Sequence, residues 1–365
     1  MKVLLIANIT STHTKKWALA LKSHGLTVGL FSLHAPVLSD PWYNSLDHVY
    51  FPLSNKGNIL LKYLRFNFHL RKTISAFQPE ILHSHFITNY SFLAGLSGFK
   101  PHVLTAWGSD VFLFPKKSFL HAAFIRYNLI KATALISTSE VMAKELKLYT
   151  TKQVQVIPFG IDFNIYKFST NTQNQDKKTI QIGCFKQIEA IYGTDILLRA
   201  FALAEKKLAG YDLKLLIAGE GTLLPQMKEL AKELGIEKQV EFAGWVNADR
   251  VPVLLHSMDV CMYLSRHESF GVSLLEAMAT GVPLVVSRTV GFMEVAETNE
   301  NALFVPINDA EQSANALVEL ISNKELYTNM RDHAYTHALK KYDLQNNISQ
   351  QISLYERIIE AGRRS

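Results

Sequence analysis

The chain runs twice through the same alternation of a short apolar segment and a stretch with helical periodicity. The first round predicts strands near residues 3–7, 27–32, 81–85, 103–106 and 134–139, and it closes at 154–162. The second predicts strands near 180–185, 213–218, 240–243, 260–263, 284–286 and 303–305. Strand–helix alternation folds as a parallel sheet with helices on both faces. The sequence therefore predicts an α/β protein with two facing, doubly wound, Rossmann-like sheets and an interdomain cleft.

A polar stretch from Phe168 to Lys178 separates the two rounds and reads as an interdomain linker. A chain of 365 residues is also too long for one ordinary core. We expect a first domain at 1–165 and a second at 166–343. The helix predicted at 344–362 is expected to pack back on the first domain.

Composition indicates a folded protein of a reducing compartment. Apolar residues make up 48% of the chain and charged residues 19%. Cys184 and Cys261 lie in apolar strand-like runs, which predicts buried thiols rather than a disulfide. The thirteen histidines show no ligand spacing, so no metal site is expected. The start lacks a signal peptide and no run approaches a membrane span, which predicts a cytoplasmic protein.

Charge is unevenly distributed between the two halves. Residues 1–165 carry 17 Lys and Arg against 7 Asp and Glu, whereas residues 166–365 carry 21 against 25. A basic half suggests a polyanionic partner. We favour an anionic membrane surface, reached peripherally from the inner face through Lys15-Lys16, Lys116-Lys117 and the aromatic-rich run from Lys62 to Lys72. Nucleic acid is the competing partner, but no nucleic-acid motif accompanies the charge.

The stretch from Glu268 to Pro283 contains the clearest candidate for a ligand-binding site in this sequence. Glu268 and Glu276 bracket a glycine-bearing turn and a helix start, after an apolar strand. The amides of a helix N-terminus suit a phosphate, and carboxylates suit neutral hydroxyls. Together these groups indicate a sugar-nucleotide site. A structural alternative is that Ser273 and Glu276 form a capping box, with Ser273 capping the helix.

The residues of this stretch and their spacing resemble the E-x7-E motif of the retaining GT-B glycosyltransferases called GT4. The resemblance rests on Glu-Ser-Phe-Gly from Glu268, Leu-Glu-Ala-Met-Ala from Leu275 and Gly-Val-Pro-Leu-Val-Val from Gly281. It is close over roughly 180–307 and looser over 1–165, where Phe159-Gly160-Ile161-Asp162 is similar to an interdomain element of that family. The resemblance implies a GT-B fold, with a first domain that binds the acceptor and a second that binds the nucleotide sugar.

For the donor, the resemblance implies that Glu276 binds the ribose and that Glu268 faces the sugar. It assigns backbone groups at Ser269, Phe270, Gly271 and Val272 to phosphate or sugar oxygens, and the turn at Gly219 to the same site. Trp245 and Val246 would meet the nucleobase, although Trp245 could equally be a surface aromatic. Of the family's basic pair only Lys186 is present, since Tyr192 stands at the second position. Lys186 would neutralise the leaving diphosphate.

For the acceptor, the resemblance and the predicted strand ends point to His13, His85, Trp107, Gly108 and Asp110. Core or capping roles for the two histidines are equally open. Trp107 stands where the family often has histidine, so stacking on a sugar or lipid face is expected there. The family's Gly-Gly before a later glutamate is reduced to Val-Gly-Phe-Met-Glu at 290–294, which predicts a shortened turn near the donor.

The implied activity is retaining transfer of a hexose-type sugar from a UDP- or GDP-sugar, without metal or other cofactor. The implied acceptor is a polysaccharide, glycolipid or lipid-linked molecule. Two alternatives remain open from the sequence. One is a sugar-nucleotide epimerase on the same frame, which would need no acceptor. The other is an inactive partner subunit, suggested by the missing second basic residue and by Trp107.

Overall fold

The protein, described here by a computed structural model, forms two compact units. The structure describes residues 1–52, 58–168, 178–297 and 299–364. The first unit comprises Met1–Pro158 together with the chain from Gln345 onward, and the second comprises Phe159–Leu344. Most of the expected linker, residues 169–177, lies outside the described residues.

The first unit is built on a parallel sheet. Its strands are β1 (Lys2–Ile6), β2 (Thr27–Phe31), β3 (His48–Tyr50), β4 (Ile81–His85), β5 (His102–Ala106), β6 (Ala134–Ser137) and β7 (Val154–Val156). Its helices before the second unit are α1 (Thr12–Ser23), α2 (Ile59–Phe77), α3 (Asn89–Ser97), α4 (Ser109–Phe112), α5 (Phe119–Lys131) and α6 (Glu140–Leu146). The strand order among described residues is β3-β2-β1-β4-β5-β6-β7. The order reverses between β1 and β4, as in a doubly wound sheet.

The second unit repeats this design. Its strands are β8 (Thr179–Phe185), β9 (Asp212–Ala218), β10 (Val240–Gly244), β11 (Val260–Tyr263), β12 (Leu284–Ser287) and β13 (Leu303–Val305). Its helices are α7 (Thr194–Lys207), α8 (Leu224–Glu233), α9 (Val251–Leu255), α10 (Val272–Thr280), α11 (Val290–Val295), α12 (Ala310–Ser322) and α13 (Lys324–Tyr342). The order in the described sheet is β10-β9-β8-β11-β12-β13, again entirely parallel. The predicted α/β class with two Rossmann-like sheets is confirmed.

The C-terminal helix α14 (Leu344–Arg364) belongs with the first unit from Gln345 onward. Its Tyr355 is fully buried, and the Tyr355 hydroxyl lies 2.5 Å from Nδ1 of His83 on β4. The other ring nitrogen of His83, Nε2, lies 2.7 Å from the hydroxyl of Thr105 on β5. This buried polar chain fixes the register of α14 against the sheet, because each member would be costly to bury alone.

Sequence patterns missed several elements that the structure contains. The edge strand β3 has three half-buried residues, too few to show an alternation. Helix α5 has apolar residues all round, so no polar face marks its periodicity. The predicted cap of α6 is confirmed, since the Ser139 hydroxyl accepts the amide of Met142 at 3.1 Å. Cys184 and Cys261 are buried free thiols, as predicted.

Among the described residues, no helix combines the length and the apolar character that crossing a bilayer requires.

Candidate active site

In the second sheet, the strand order reverses between β8 and β11, and two predicted site residues meet there. Lys186 follows β8 directly, and Glu268 lies in the loop after β11. The Lys186 ammonium donates to Glu268 Oε2 at 2.5 Å, and both side chains are only 12–13% exposed. Ligands of doubly wound sheets bind beyond the carboxyl ends of the strands at such a reversal. The ion pair therefore marks the expected ligand position of this unit.

The ammonium of Lys186 is held in a partly aromatic environment. It lies 5.2 Å from the centre of the Tyr192 ring and 5.7 Å from that of Phe292, both within cation–π range. Burial alone would lower the pKa of Lys186. The charge and hydrogen bond of Glu268 outweigh burial, so the net shift of the Lys186 pKa is upward. The cation at this position is thus retained throughout the physiological pH range.

The helix that follows Glu268 begins without a side-chain cap. Gly271 is the N-cap residue at φ +103°, and α10 starts at Val272. Ser273 is already the second helical residue and its buried hydroxyl finds no hydrogen-bond partner among the described residues. The predicted capping role of Ser273 is wrong, because a left-handed backbone at Gly271 moves the helix start ahead of the serine. The first amides of α10 are consequently left for another acceptor.

The segment after β12 is a helix, α11, rather than the predicted shortened turn. The amide of Gly291 donates to the Glu268 carbonyl at 3.1 Å. A Cβ at residue 291 would lie 2.5 Å from the same carbonyl oxygen, so only glycine allows this approach. The next residue, Phe292, is fully buried and covers both Gly271 and Lys186. This helix therefore fixes the backbone on which Glu268 stands.

Arg266 is a positioning residue that sequence reasoning missed. Its guanidinium forms two hydrogen bonds with the carboxylate of Asp195, at 2.9 and 2.7 Å, and a third with the Ala190 carbonyl at 2.6 Å. These bonds tie the loop before Glu268 to the start of α7. Asp195 and Arg266 stand 71 positions apart, so no local pattern links them. The only sequence signal is the position of an arginine two residues before Glu268.

The glycine turn after β9 packs directly on the backbone that follows β8. Gly219 has φ +158°, and a Cβ there would lie 2.0 Å from the carbonyl oxygen of Lys186. At Gly221 the corresponding distance to the Ile188 carbonyl oxygen is 2.2 Å. Both glycines are needed because two backbone segments touch at this edge. The predicted site residue Gly219 thus lies against Lys186.

Trp245 and Val246 directly follow β10, beside the strand that carries the glycine turn. The Trp245 side chain is 64% exposed. The preceding Gly244 adopts φ +70°, and a Cβ there would lie 3.9 Å from the Glu220 carboxylate. An exposed indole at the carboxyl edge of this sheet can stack on a planar ligand group, and this stays a prediction.

The second glutamate of the motif, Glu276, is half-buried on α10. Its Oε1 accepts a hydrogen bond from the hydroxyl of Tyr166 at 2.8 Å. Burial and, next, the negative charge of Glu276 raise the pKa of Tyr166, so its hydroxyl stays protonated and donates. This hydrogen bond fixes the orientation of the Glu276 carboxylate. Sequence reasoning also missed Tyr166, which precedes Glu276 by 110 positions.

In the first sheet, the expected acceptor residues also gather beside the reversal of strand order. His85 ends β4, and Trp107 follows the neighbouring β5. Their ring centres lie 4.6 Å apart, and His13 of α1 meets Trp107 edge-on at 5.6 Å. The structure thus brings His13, His85 and Trp107 together, although these residues are far apart in sequence.

Gly108 and Asp110 shape the loop on which Trp107 stands. The buried Asp110 carboxylate accepts the amides of Ile87 and Gly108, each at 2.8 Å, and that of Trp107 at 3.2 Å. Burial raises the pKa of Asp110, although these hydrogen bonds oppose the shift. Gly108 has φ +139°, a conformation that L residues rarely adopt. These two residues hold the indole in place.

Buried histidines make this unit sensitive to acid. Burial, helped by neighbouring positive charges, lowers the pKa of His13, His85 and His102 to about 3 each. In the unfolded chain the same groups take up protons below a pKa of about 6.5. Stability is therefore complete above pH 6.5 and falls as the pH drops toward 3, by up to ~1.4 kcal/mol per pH unit for each histidine.

We expect the urea midpoint of the protein to be lower at pH 5.5 than at pH 7.5. His102→Gln should make the pH dependence shallower, because one buried titrating group is removed. His333→Gln, at an exposed position on α13, should leave the dependence unchanged. Equal midpoints at the two pH values would contradict the burial argument.

Among the described residues, no group of three or more His, Cys, Asp or Glu side chains is placed to hold a metal ion.

Comparison with protein families agrees with this geometry. Residues 166–337 match the family described as glycosyl transferases group 1, and residues 2–139 match the family described as glycosyl transferase 4-like. The two matches together cover most of the chain and correspond to its two sheets.

Two curated relatives illustrate the sequence similarity. The chain is 27% identical over 291 residues to N-acetyl-alpha-D-glucosaminyl L-malate synthase of Bacillus anthracis, an alignment that covers 76% of this chain and 74% of the relative. It is 28% identical over 228 residues to D-inositol 3-phosphate glycosyltransferase of Corynebacterium jeikeium, covering 59% of this chain and 54% of the relative. The chain thus spans about three quarters of the first relative and about half of the second.

Two solved structures show the likeness in fold. Sucrose-phosphate synthase from Thermosynechococcus elongatus superposes with a TM-score of 0.80 at 17% identity, over 99% of this chain and 100% of the other. HepE of Anabaena, solved in complex with UDP and glucose, superposes with a TM-score of 0.79 at 19% identity, over 97% and 98%. At such identities the likeness shows the fold alone, and that fold is GT-B.

Proposed function

Since this chain belongs to the group 1 glycosyl transferases and has a GT-B fold, we propose that it transfers a hexose-type sugar from a nucleotide-diphosphate sugar to a hydroxyl acceptor, with retention of configuration. The donor would be a UDP- or GDP-sugar. The acceptor would be a growing glycan, a glycolipid or another lipid-linked molecule. The observation that carries this proposal is the Lys186–Glu268 pair beside the uncapped start of α10, at the reversal of the second sheet.

Lys186 and the first amides of α10 supply positive charge for a diphosphate. The amides are oriented by the helix, and the ammonium is held by Glu268 and two aromatic rings. A diphosphate that binds here competes with Glu268 for the ammonium. Once displaced from that ion pair, Glu268 can accept from hydroxyls of the donor sugar. Fixed donors of this kind stabilise charge that develops on a leaving group.

Glu276 would orient the nucleotide through its ribose. Tyr166 orients this carboxylate by a hydrogen bond, and the carboxylate would accept hydrogen bonds from the ribose hydroxyls. Trp245 and Val246 at the end of β10 would contact the base, and Gly219 would let the turn approach the diphosphate. These assignments place the nucleotide along the carboxyl edge of one sheet, which is the usual ligand position of this architecture.

In the first unit, the cluster of His13, His85 and Trp107 would receive the acceptor. The half-buried indole of Trp107 offers a flat surface on which a sugar or lipid face can stack, and the buried ring of His85 packs against it. Gly108 and Asp110 hold the loop of Trp107. At physiological pH both histidines are neutral, because burial keeps their pKa values near 3. They can therefore accept or donate a hydrogen bond without adding charge.

In the proposed reaction, the bond from the anomeric carbon to the phosphate oxygen breaks and the acceptor oxygen bonds to the same face of that carbon. The acceptor proton passes to the leaving phosphate, and the products are the glycoside and a nucleoside diphosphate. The positive charge of Lys186 and the helix amides favours departure of the diphosphate. We propose that no divalent ion is needed, and activity in excess EDTA tests this point.

The proposed function is tested first by ligand-induced stabilisation. A thermal-shift screen against UDP, GDP, ADP and their sugars should find one nucleotide that stabilises the protein by about 2.7 kcal/mol at a hundredfold excess over Kd. Transfer with that donor should then require an added acceptor. Conversion of the donor without acceptor would instead indicate an epimerase, and no binding of any nucleotide would indicate an inert scaffold.

Tyr166→Phe should weaken binding of the nucleoside diphosphate about tenfold, because Glu276 loses a hydrogen bond made to its charged group. Calorimetric titration measures the change in Kd, and kcat at saturating donor should stay close to wild type. Tyr327→Phe is the matched control: it removes an equally buried hydroxyl, which donates to the Asp259 carbonyl on the same unit. Equal Kd changes in the two variants would refute the positioning role of Tyr166.

A further inference from the structure

Helix α2 has two opposite apolar faces, and the residues that the structure describes cover only one of them. Phe66, Leu70 and Phe77 pack into the core of the first unit, against Leu4 and Phe31 among others. On the other side of the helix, Leu61, Leu64 and Phe68 are 59–66% exposed. Their spacing of three and four residues places them in one stripe. A solvent-facing stripe of large apolar side chains is unusual for a surface helix.

The charged residues of α2 are all basic. The helix contains Lys62, Arg65, Arg71 and Lys72 and no acidic residue. Arg65 and Lys72 flank Phe68 at spacings of three and four, so they share its face. Both side chains are exposed. Large apolar groups thus lie between basic side chains on this face of the helix.

Helix α5 repeats this pattern. Phe119, Leu120 and Ile130 are 68–77% exposed, whereas Ile125 and Leu129 pack into the core. The helix carries Arg126 and Lys131, follows Lys117 and contains no acidic residue. Lys116 is paired with Glu145, so the other cations carry the charge of this segment.

Helices α2 and α5 lie on the same side of the first sheet. The connections β3–α2–β4, β4–α3–β5 and β5–α5–β6 all run in one direction along the strand order, and right-handed crossovers place their helices on one face. Side-chain contacts confirm that α2, α3 and α5 are adjacent. Phe92 of α3 contacts Tyr63 of α2 and Phe124 of α5, with ring centres 5.5 and 5.0 Å apart. Since both helices bury their inner faces against the sheet, their exposed faces point to the same side.

We propose that the exposed faces of α2 and α5, called here the α2–α5 surface, dock on an anionic lipid bilayer. Leucine, isoleucine and phenylalanine side chains can enter the acyl boundary, while lysine and arginine meet the lipid phosphates. Nucleic acid would use the cations but would leave the apolar stripe in water. The proposal goes beyond the proposed reaction and does not rest on it, because it concerns only this surface.

The test is co-sedimentation of the full-length protein, without donor, with two kinds of vesicle. One is phosphatidylcholine alone, and the other contains about 30% phosphatidylglycerol, which provides the negative surface potential. We expect the protein to pellet only with the anionic vesicles and to be released by salt. Arg65→Glu/Lys72→Glu should reduce the partition coefficient about thirtyfold or more, as expected for two lost surface cations.

The apolar stripe is tested separately by Leu64→Ser/Phe68→Ser, which should reduce binding about tenfold or more at unchanged charge. Two controls match these variants. Lys206→Glu/Lys228→Glu makes the same charge change at exposed positions of the second unit, and Val253→Ser removes an apolar side chain that is 54% exposed on α9 of that unit. Both controls should bind like wild type.

The proposal is overturned if the wild-type protein does not bind anionic vesicles, or if the controls lose as much vesicle binding as the α2 variants. It is also overturned if the surface variants keep vesicle binding but lose binding to a DNA duplex, which would make nucleic acid the partner. Because no donor is present, failure here leaves the nucleotide-binding test of the proposed function untouched.

Discussion

Lys186→Met is expected to lower kcat about a hundred- to a thousandfold, the usual loss when one fixed donor to a developing negative charge is removed. The ammonium lies at the reversal of the second sheet, and its pair with Glu268 keeps it charged although it is buried. Methionine is one atom shorter than lysine but is also an unbranched chain that can pack on Tyr192 and Phe292, and it removes the charge. Steady-state assays with the donor found in the thermal-shift screen measure the change.

Two further variants separate the loss of charge from a loss of fold. Lys186→Arg keeps a cation and should retain much more activity than the methionine variant. Lys206→Met removes an exposed lysine of α7 and should leave kcat unchanged. Because Lys186→Met strands a largely buried Glu268, its urea midpoint should also fall, so activity is compared well below the transition. A kcat within threefold of wild type would refute the role given to Lys186.

Gly193→Ala is expected to lower the free energy of unfolding by about 4 kcal/mol or more, a loss that marks strain at a special backbone position. Gly193 precedes α7 with φ +65°, and a Cβ there would lie 2.0 Å from the carbonyl oxygen of Leu264. Since the obstacle is backbone, it cannot rotate away. The loop that carries Arg266 and Glu268 would have to move, so donor binding should weaken as well.

Gly235→Ala is the matched control for this substitution. Gly235 has a similar φ of +72°, but a Cβ there would meet nothing within 4 Å. Gly235→Ala should therefore lower the free energy of unfolding by only about 1–2 kcal/mol, the cost of a left-handed backbone at a residue with a Cβ. Urea denaturation of both variants measures the difference, which isolates the backbone contact at Leu264. If the two substitutions lower the free energy of unfolding equally, the contact with the Leu264 carbonyl does not constrain the loop.

Much of the fold could be predicted from local pattern. Apolar runs such as Val260–Tyr263 and Leu284–Ser287 are strands because buried parallel strands are apolar on both faces. The alternation with helices predicted two doubly wound sheets, and parallel pairing then brought the ends of β4, β5 and β6 to one edge. Lys186 and Glu268 were predicted as site residues from the family resemblance, and the structure pairs them.

Other features could not be predicted because they depend on contacts between distant segments. Whether Ser273 caps α10 depends on the backbone angle at Gly271, which Phe292 of α11 encloses. The role of Arg266 depends on Asp195, and that of Tyr166 on Glu276, partners that lie 71 and 110 positions away. Hydrophobic periodicity describes neighbours along a helix or strand, and it contains no information on such pairs.

The sequence by itself determined the two-sheet α/β architecture and the family, and it predicts the residues with which a sugar nucleotide would interact. Local propensity and the burial of apolar runs depend on residues that are close in sequence, so they can be predicted from the sequence alone. Only the tertiary structure decided which groups orient the two glutamates, why Gly193, Gly219 and Gly291 cannot carry a side chain, and which apolar stripe of α2 stays uncovered. Those outcomes depend on what each segment packs against once the sheets have formed, and close backbone approach and burial are properties of the assembled core.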